Sequence, residues 1–85
     1  MTKFDKIINK VLRGTSDNNI EFEQLCKILK KLGFEVRIKG SHHIYYHKNV
    51  EEIINLQPKL NKAKPYQVKQ VREILIKYKF LNDAV

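Results

Sequence analysis

The densest run of chemically capable residues is Gly40-Ser41-His42-His43-Ile44-Tyr45-Tyr46-His47, which holds all three histidines of the 85-residue chain. Imidazole titrates near neutral pH, so a histidine here can take a proton from a hydroxyl or deliver one to a leaving oxygen. If the run is a strand, alternation places His43, Tyr45 and His47 on one face and Ile44 and Tyr46 on the other. Assigning Ile44 to the core turns the first three outward, beside Arg37 and Lys39 of a preceding strand.

Three readings of the cluster compete. It can be the polar cover of a solvated sheet face, a metal site, or an acid–base centre working on RNA. The metal reading suits the geometry least. His43 and His47 would lie about 13 Å apart along a strand. Tyr45 occupies the position between them, and no Asp or Glu flanks them on that strand. The RNA reading needs no metal, because RNA carries its own nucleophile in the 2′-hydroxyl. Neighbouring Lys and Arg would hold the phosphate and stabilise the charge that builds on it.

The elements that must carry these residues follow from periodicity. Phe4, Ile7, Ile8, Val11 and Leu12 form one apolar stripe of a short helix that Gly14 ends. A polar loop, Thr15 to Asn19, leads to a second helix over about Glu21–Leu32, with Phe22, Leu25, Leu29 and Leu32 inward and Gly33 as its stop. The period then changes to two. Phe34, Val36 and Ile38 alternate with Glu35, Arg37 and Lys39, and Gly40-Ser41 turns into the histidine strand His42–His47. Lys48-Asn49 turns again into Val50–Leu56, where Val50, Glu52, Ile54 and Leu56 share a face and Ile53 has the wrong parity. A basic connection, Gln57 to Lys64, precedes a last helix over about Pro65–Lys79, with proline suited to its first turn. The expected fold is α+β, a three-stranded antiparallel meander with helices on one face and the other face open.

Composition narrows the partner. Seventeen Lys and Arg against nine Asp and Glu leave a net charge of +8, which favours a polyanion, either nucleic acid or an acidic protein. A chain of this size buries one modest core, which excludes a large enzyme with a separate cofactor domain. No unbroken apolar run exceeds three residues, so no transmembrane span is expected, and the N-terminus leads into no signal-peptide core. The single cysteine, Cys26, allows neither an internal disulfide nor a thiolate zinc site. A cytoplasmic protein without a cofactor fits these features. Arg37 and Lys39 are the best candidates for phosphate contact, followed by Lys59, Lys62 and Lys64 ahead of a helix N-terminus. Lys27, Lys30 and Lys31 read as a solvated helix face. Cys26, Tyr46 and Tyr78 read as core, and Tyr45 as able to stack on a base.

The stretch Phe22-Glu23-Gln24-Leu25-Cys26-Lys27-Ile28-Leu29-Lys30-Lys31-Leu32-Gly33-Phe34, followed by Ser41-His42-His43, resembles the HicA family of bacterial toxins. The helix opening Lys64-Pro65-Tyr66-Gln67-Val68 resembles that family's closing helix. The resemblance covers about residues 20–79, within a domain expected over 20–80. It implies a double-stranded-RNA-binding-domain-like fold, cleavage of mRNA, and neutralisation by a HicB-type antitoxin. It also implies that the histidine ending Gly-Ser-x-His, here His43, is catalytic, with Gly40 and Ser41 shaping its turn and His42 a neighbour. His42, Tyr45 and His47 then join the basic residues as RNA contacts. The histidine often found in the third strand is missing from Ile54-Asn55-Leu56-Gln57-Pro58-Lys59, so the second proton carrier is open. Residues 1–19 form an extension with no counterpart in the minimal family member, most simply extra core, and 81–85 form a tail. The competing reading is a module that binds RNA on the same fold without cutting it.

Overall fold

The computed structural model describes residues 2–80, and the expected tail, 81–85, lies outside them. Helix α1 spans Lys3–Arg13, a single 3₁₀ turn follows at Asp17–Asn19, and α2 spans Phe22–Lys31. Strands β1 (Glu35–Lys39), β2 (His42–His47) and β3 (Val50–Leu56) come next, and α3 (Pro65–Lys77) closes the fold. The three strands form one antiparallel sheet in the order β1-β2-β3. This is the expected α+β architecture, the helix–three strands–helix fold with α1 added in front.

Local chemistry explains the helix limits. Thr2 and Asp5 satisfy each other's backbone N–H groups at the start of α1, and Gly14 ends it with φ of 72°. Glu21 and Gln24 form the same reciprocal cap on α2. After α2 the chain reverses through Gly33, whose φ of 95° a side chain would resist. A Cβ there would also lie 3.4 Å from His47 Nε2.

The core lies between the helices and one sheet face. Ile8 and Val11 of α1, Phe22, Leu25, Ile28 and Leu29 of α2, and Val68, Val71, Ile74 and Leu75 of α3 meet Val50, Ile54 and Leu56 of β3. The extension is therefore part of this core, and Arg72 of α3 fastens it. Its guanidinium pairs with both Asp17 carboxylate oxygens at 2.9 and 3.2 Å and donates to the Val11 carbonyl at 3.1 Å.

The face of β2 differs from the expectation. Tyr45 is fully buried in the core, whereas Tyr46 is 39% exposed and Ile44 only half-buried. Register gives the reason. Tyr45 pairs across to Val36 on one side and Ile54 on the other, and His43 pairs to Ile38 and Leu56. Directly paired residues share a face, so His43, Tyr45 and His47 point to the helices. The open face carries Arg37, Ile44 and Tyr46, with Ile53 at 62% exposure. The parity expected for β3 holds, because Val50, Ile54 and Leu56 are buried.

Candidate active site

At the His43 end of β2 the sheet and α2 do not close on each other. They leave a cleft of about 440 Å³ lined by Phe22, Cys26, Lys27 and Lys30 of α2 and by Ile38, His43 and Tyr45 of the sheet, with Glu23 at its rim. The helix supplies its lining through the spacing 23, 26, 27 and 30, which are neighbours on one side of an α-helix. Three of these, Glu23, Lys27 and Lys30, are exposed. The cleft thus joins an imidazole to two ammonium groups and one carboxylate.

His43 is held edge-on against Phe22, with ring centroids 4.9 Å apart and planes at 80°. Its Nδ1 is buried without a hydrogen-bond partner. Its Nε2, unlike Nδ1, is not a buried atom without a partner. Below it, the Tyr45 hydroxyl is buried with no oxygen or nitrogen partner and meets the Cys26 thiol. Burial and that thiol push the Tyr45 phenol up, and burial pushes the Cys26 thiol up against the opposing effects of Tyr45 and Lys30. Both groups stay neutral at physiological pH, so neither is an ionised nucleophile beside His43.

The other expected site residues are dispersed. Gly40 makes the turn with φ of 62°, and the exposed Ser41 accepts a hydrogen bond from Gln57 Nε2 at 3.2 Å. His42 lies on the opposite face from His43, with Nδ1 3.1 Å from Asn55 Oδ1. His47 shares the face of His43 but is packed between Phe34 and Phe80, at centroid distances of 5.0 and 5.2 Å, and its Nδ1 accepts from Asn49 N–H. Tyr45, expected to stack on a base, presents no ring surface because it is fully buried.

The basic candidates divide in the same way. Arg37 lines the open face and pairs across to Ile44, away from the His43 cleft. Lys39 is exposed at the end of β1. Lys62 donates to Asn19 Oδ1 at 3.0 Å and Lys64 to Gln57 Oε1 at 3.5 Å, while Lys59 is exposed. Lys27 and Lys30, set aside as a solvated face, are the cations that reach the cleft. Their signal was present in the sequence as spacing around Cys26 and Phe22. It became readable only once the face of His43 was known.

Among the described residues no group of three or more His, Cys, Asp or Glu is arranged to hold a metal ion. No helix among them is long and apolar enough to cross a membrane.

The molecule is thus a small basic α+β domain with an imidazole and two lysines in a helix–sheet cleft. A family model described as HicA toxin of bacterial toxin-antitoxin matches residues 22–78, well over half of the chain. The protein belongs to the HicA toxin family, and as such is the toxin member of a toxin–antitoxin pair. Searches of curated proteins and of solved structures gave no match. The matched stretch begins at α2 and leaves α1 outside it.

Proposed function

We propose that this toxin is a metal-independent endoribonuclease that cleaves mRNA, with His43 as its proton-transfer group. The observation that carries the reading is the placing of His43 in one cleft with Lys27 and Lys30. In the reaction, the ribose 2′-oxygen attacks the adjacent phosphorus as its proton is removed, and the bond to the 5′-oxygen breaks. The 5′-oxygen takes up a proton, leaving a 2′,3′-cyclic phosphate and a free 5′-hydroxyl. His43 serves one of these transfers through Nε2, and water completes the other. Lys27 and Lys30 hold the phosphate as its charge grows in the transition state. Gly40 and Ser41 shape the turn that sets His43 in register opposite Ile38.

A HicB-type antitoxin would neutralise the toxin by occupying this cleft, and a cytoplasmic mRNA pool would be its target. The remaining cations, Arg37, Lys39, Lys59, Lys62 and Lys64, and the exposed His42, then contribute to long-range attraction of RNA. The charge of +8 supports this role.

The test is cleavage of a defined single-stranded mRNA in EDTA, wild type beside His43→Ala. Cyclic-phosphate fragments from the wild type alone are expected. Intact RNA in both lanes, with a gel shift that fades as salt rises, would overturn catalysis and leave an RNA-binding module.

A further inference from the structure

Helix α1 does more than fill the core. Its stripe is wider than the core covers, because Ile8 and Val11 are buried while Phe4 and Ile7 are only half-buried. Those two side chains and Lys3 face α2 across a groove of about 640 Å³. On the α2 side the groove is lined by Lys27, Lys30 and Lys31, together with Glu21 and Glu23. Four lysines therefore stand against two glutamates. Glu23, Lys27 and Lys30 also line the His43 cleft, so the two depressions share a border on the α2 surface.

We propose that the α1–α2 groove is the extension of the RNA site, holding the single strand beyond the scissile bond. The proposal rests on the RNA-cleaving reading of the cleft and adds a binding track to it. A single strand asks for cations spaced along its backbone and an aromatic surface for an unstacked base. Lys3 and Lys31 supply the first, and Phe4 the second. At present the Lys31 ammonium sits 4.6 Å from the Phe4 ring centroid. A base stacked on an aromatic ring outweighs an exposed ammonium there, and the displaced lysine is then free to meet a phosphate. A duplex offers no unstacked base, so the groove selects single strands. The track continues from the cleft only because Lys27 and Lys30 serve both.

Uncleavable 2′-O-methyl oligonucleotides test this by binding, with the full chain. A dinucleotide fills the cleft alone, and a single strand of about eight nucleotides reaches the groove as well. Lys31→Glu and Phe4→Ala should each weaken the longer strand about tenfold and leave the dinucleotide unaffected. Lys31 is exposed, so Lys31→Glu keeps the test valid if Phe4→Ala unfolds in a thermal melt. Unchanged affinity for the longer strand, equal loss at both lengths, or equal binding of a duplex would each overturn the groove assignment. So would unchanged RNA binding with weakened antitoxin binding, which would make the groove a protein-docking surface. Cleavage of an unmodified single-stranded mRNA by wild type in EDTA is scored separately. Its absence would sink the catalytic reading while leaving the length-dependent binding intact.

Discussion

His43 and His47 stand on the same strand and the same face, yet their surroundings differ in every respect that matters for chemistry. At the His47 end the fold is closed. The ring is flanked by Phe34 and Phe80, lies against Gly33, and has Nδ1 occupied by the Asn49 amide. At the His43 end the helix and sheet part, one aromatic contact remains, and two lysines stand at the opening. The face of a strand is thus a poor guide to whether a histidine is free to react. Closure by neighbouring elements decides it.

The comparison breaks most readily at His43. His43→Gln should reduce cleavage by roughly 10²–10⁴-fold, the usual contribution of a positioned general acid or base. Gel analysis of product formation measures this, and the melting temperature should change little. His47→Ala should do the reverse. Losing two ring contacts is expected to cost about 1–3 kcal/mol of stability, read from the denaturant midpoint, with the cleavage rate per folded molecule preserved. A catalytic loss at His47 as large as that at His43 would show that closure is the wrong criterion.

The lysines sharpen the comparison further. Replacing Lys27 and Lys30 together by alanine should weaken RNA binding about tenfold and flatten its dependence on log salt concentration by up to about two. Arg37→Ala, on the open face, should change both quantities far less under the same titration.

A smaller effect belongs to the closed end. Glu52 of β3 accepts from the Tyr78 hydroxyl and from Lys77 Nζ, the latter at 2.9 Å. These bonds, Tyr78 foremost, bring its carboxyl down to about 2 from an ordinary 4.5. A depressed carboxylate adds stability that is present above its ordinary value and lost as pH falls through its folded value. The wild type should therefore lose stability between about pH 4.5 and 2 more steeply than Glu52→Gln, as acid-titrated melts would reveal.

Most of the architecture was legible from local signals. Gly14, Gly33 and Pro65 mark helix limits, and the change from helical to alternating period at Phe34 marks the first strand. The face of β2 was misread because its own pattern is ambiguous. Ile44 and Tyr46 offer one apolar face, Tyr45 the other, and each histidine tolerates either. The neighbours were unambiguous. A two-residue turn at Gly40-Ser41 pairs Lys39 with His42 and so sets His43 opposite Ile38. A second turn at Lys48-Asn49 pairs His47 with Val50, whose strand has a clear buried face. The irregularity between Tyr45 and His47 leaves that parity intact, since Tyr45 still pairs with Ile54. Carrying register across either hairpin would have turned His43 towards α2 and drawn attention to Lys27 and Lys30. The cleft itself depends on how far a helix stands from a sheet, a quantity no single segment encodes.

The clamp made by Arg72 limits how the chain can be divided. The family match begins at Phe22, which invites trimming to a minimal domain. Such a cut would strip Asp17 and the Val11 carbonyl from a guanidinium that is now only 17% exposed, and would uncover the core surface beneath Ile8 and Val11. A charge that loses its partner in a partly buried setting destabilises more than a charge never placed there. Gly14 carries the same constraint, because a Cβ at that position would lie 3.3 Å from the guanidinium. The leading helix is thus built into both the core and the Arg72 network. A shortened version of this toxin would need Arg72 replaced by an apolar residue before its lost activity could be blamed on the missing helix.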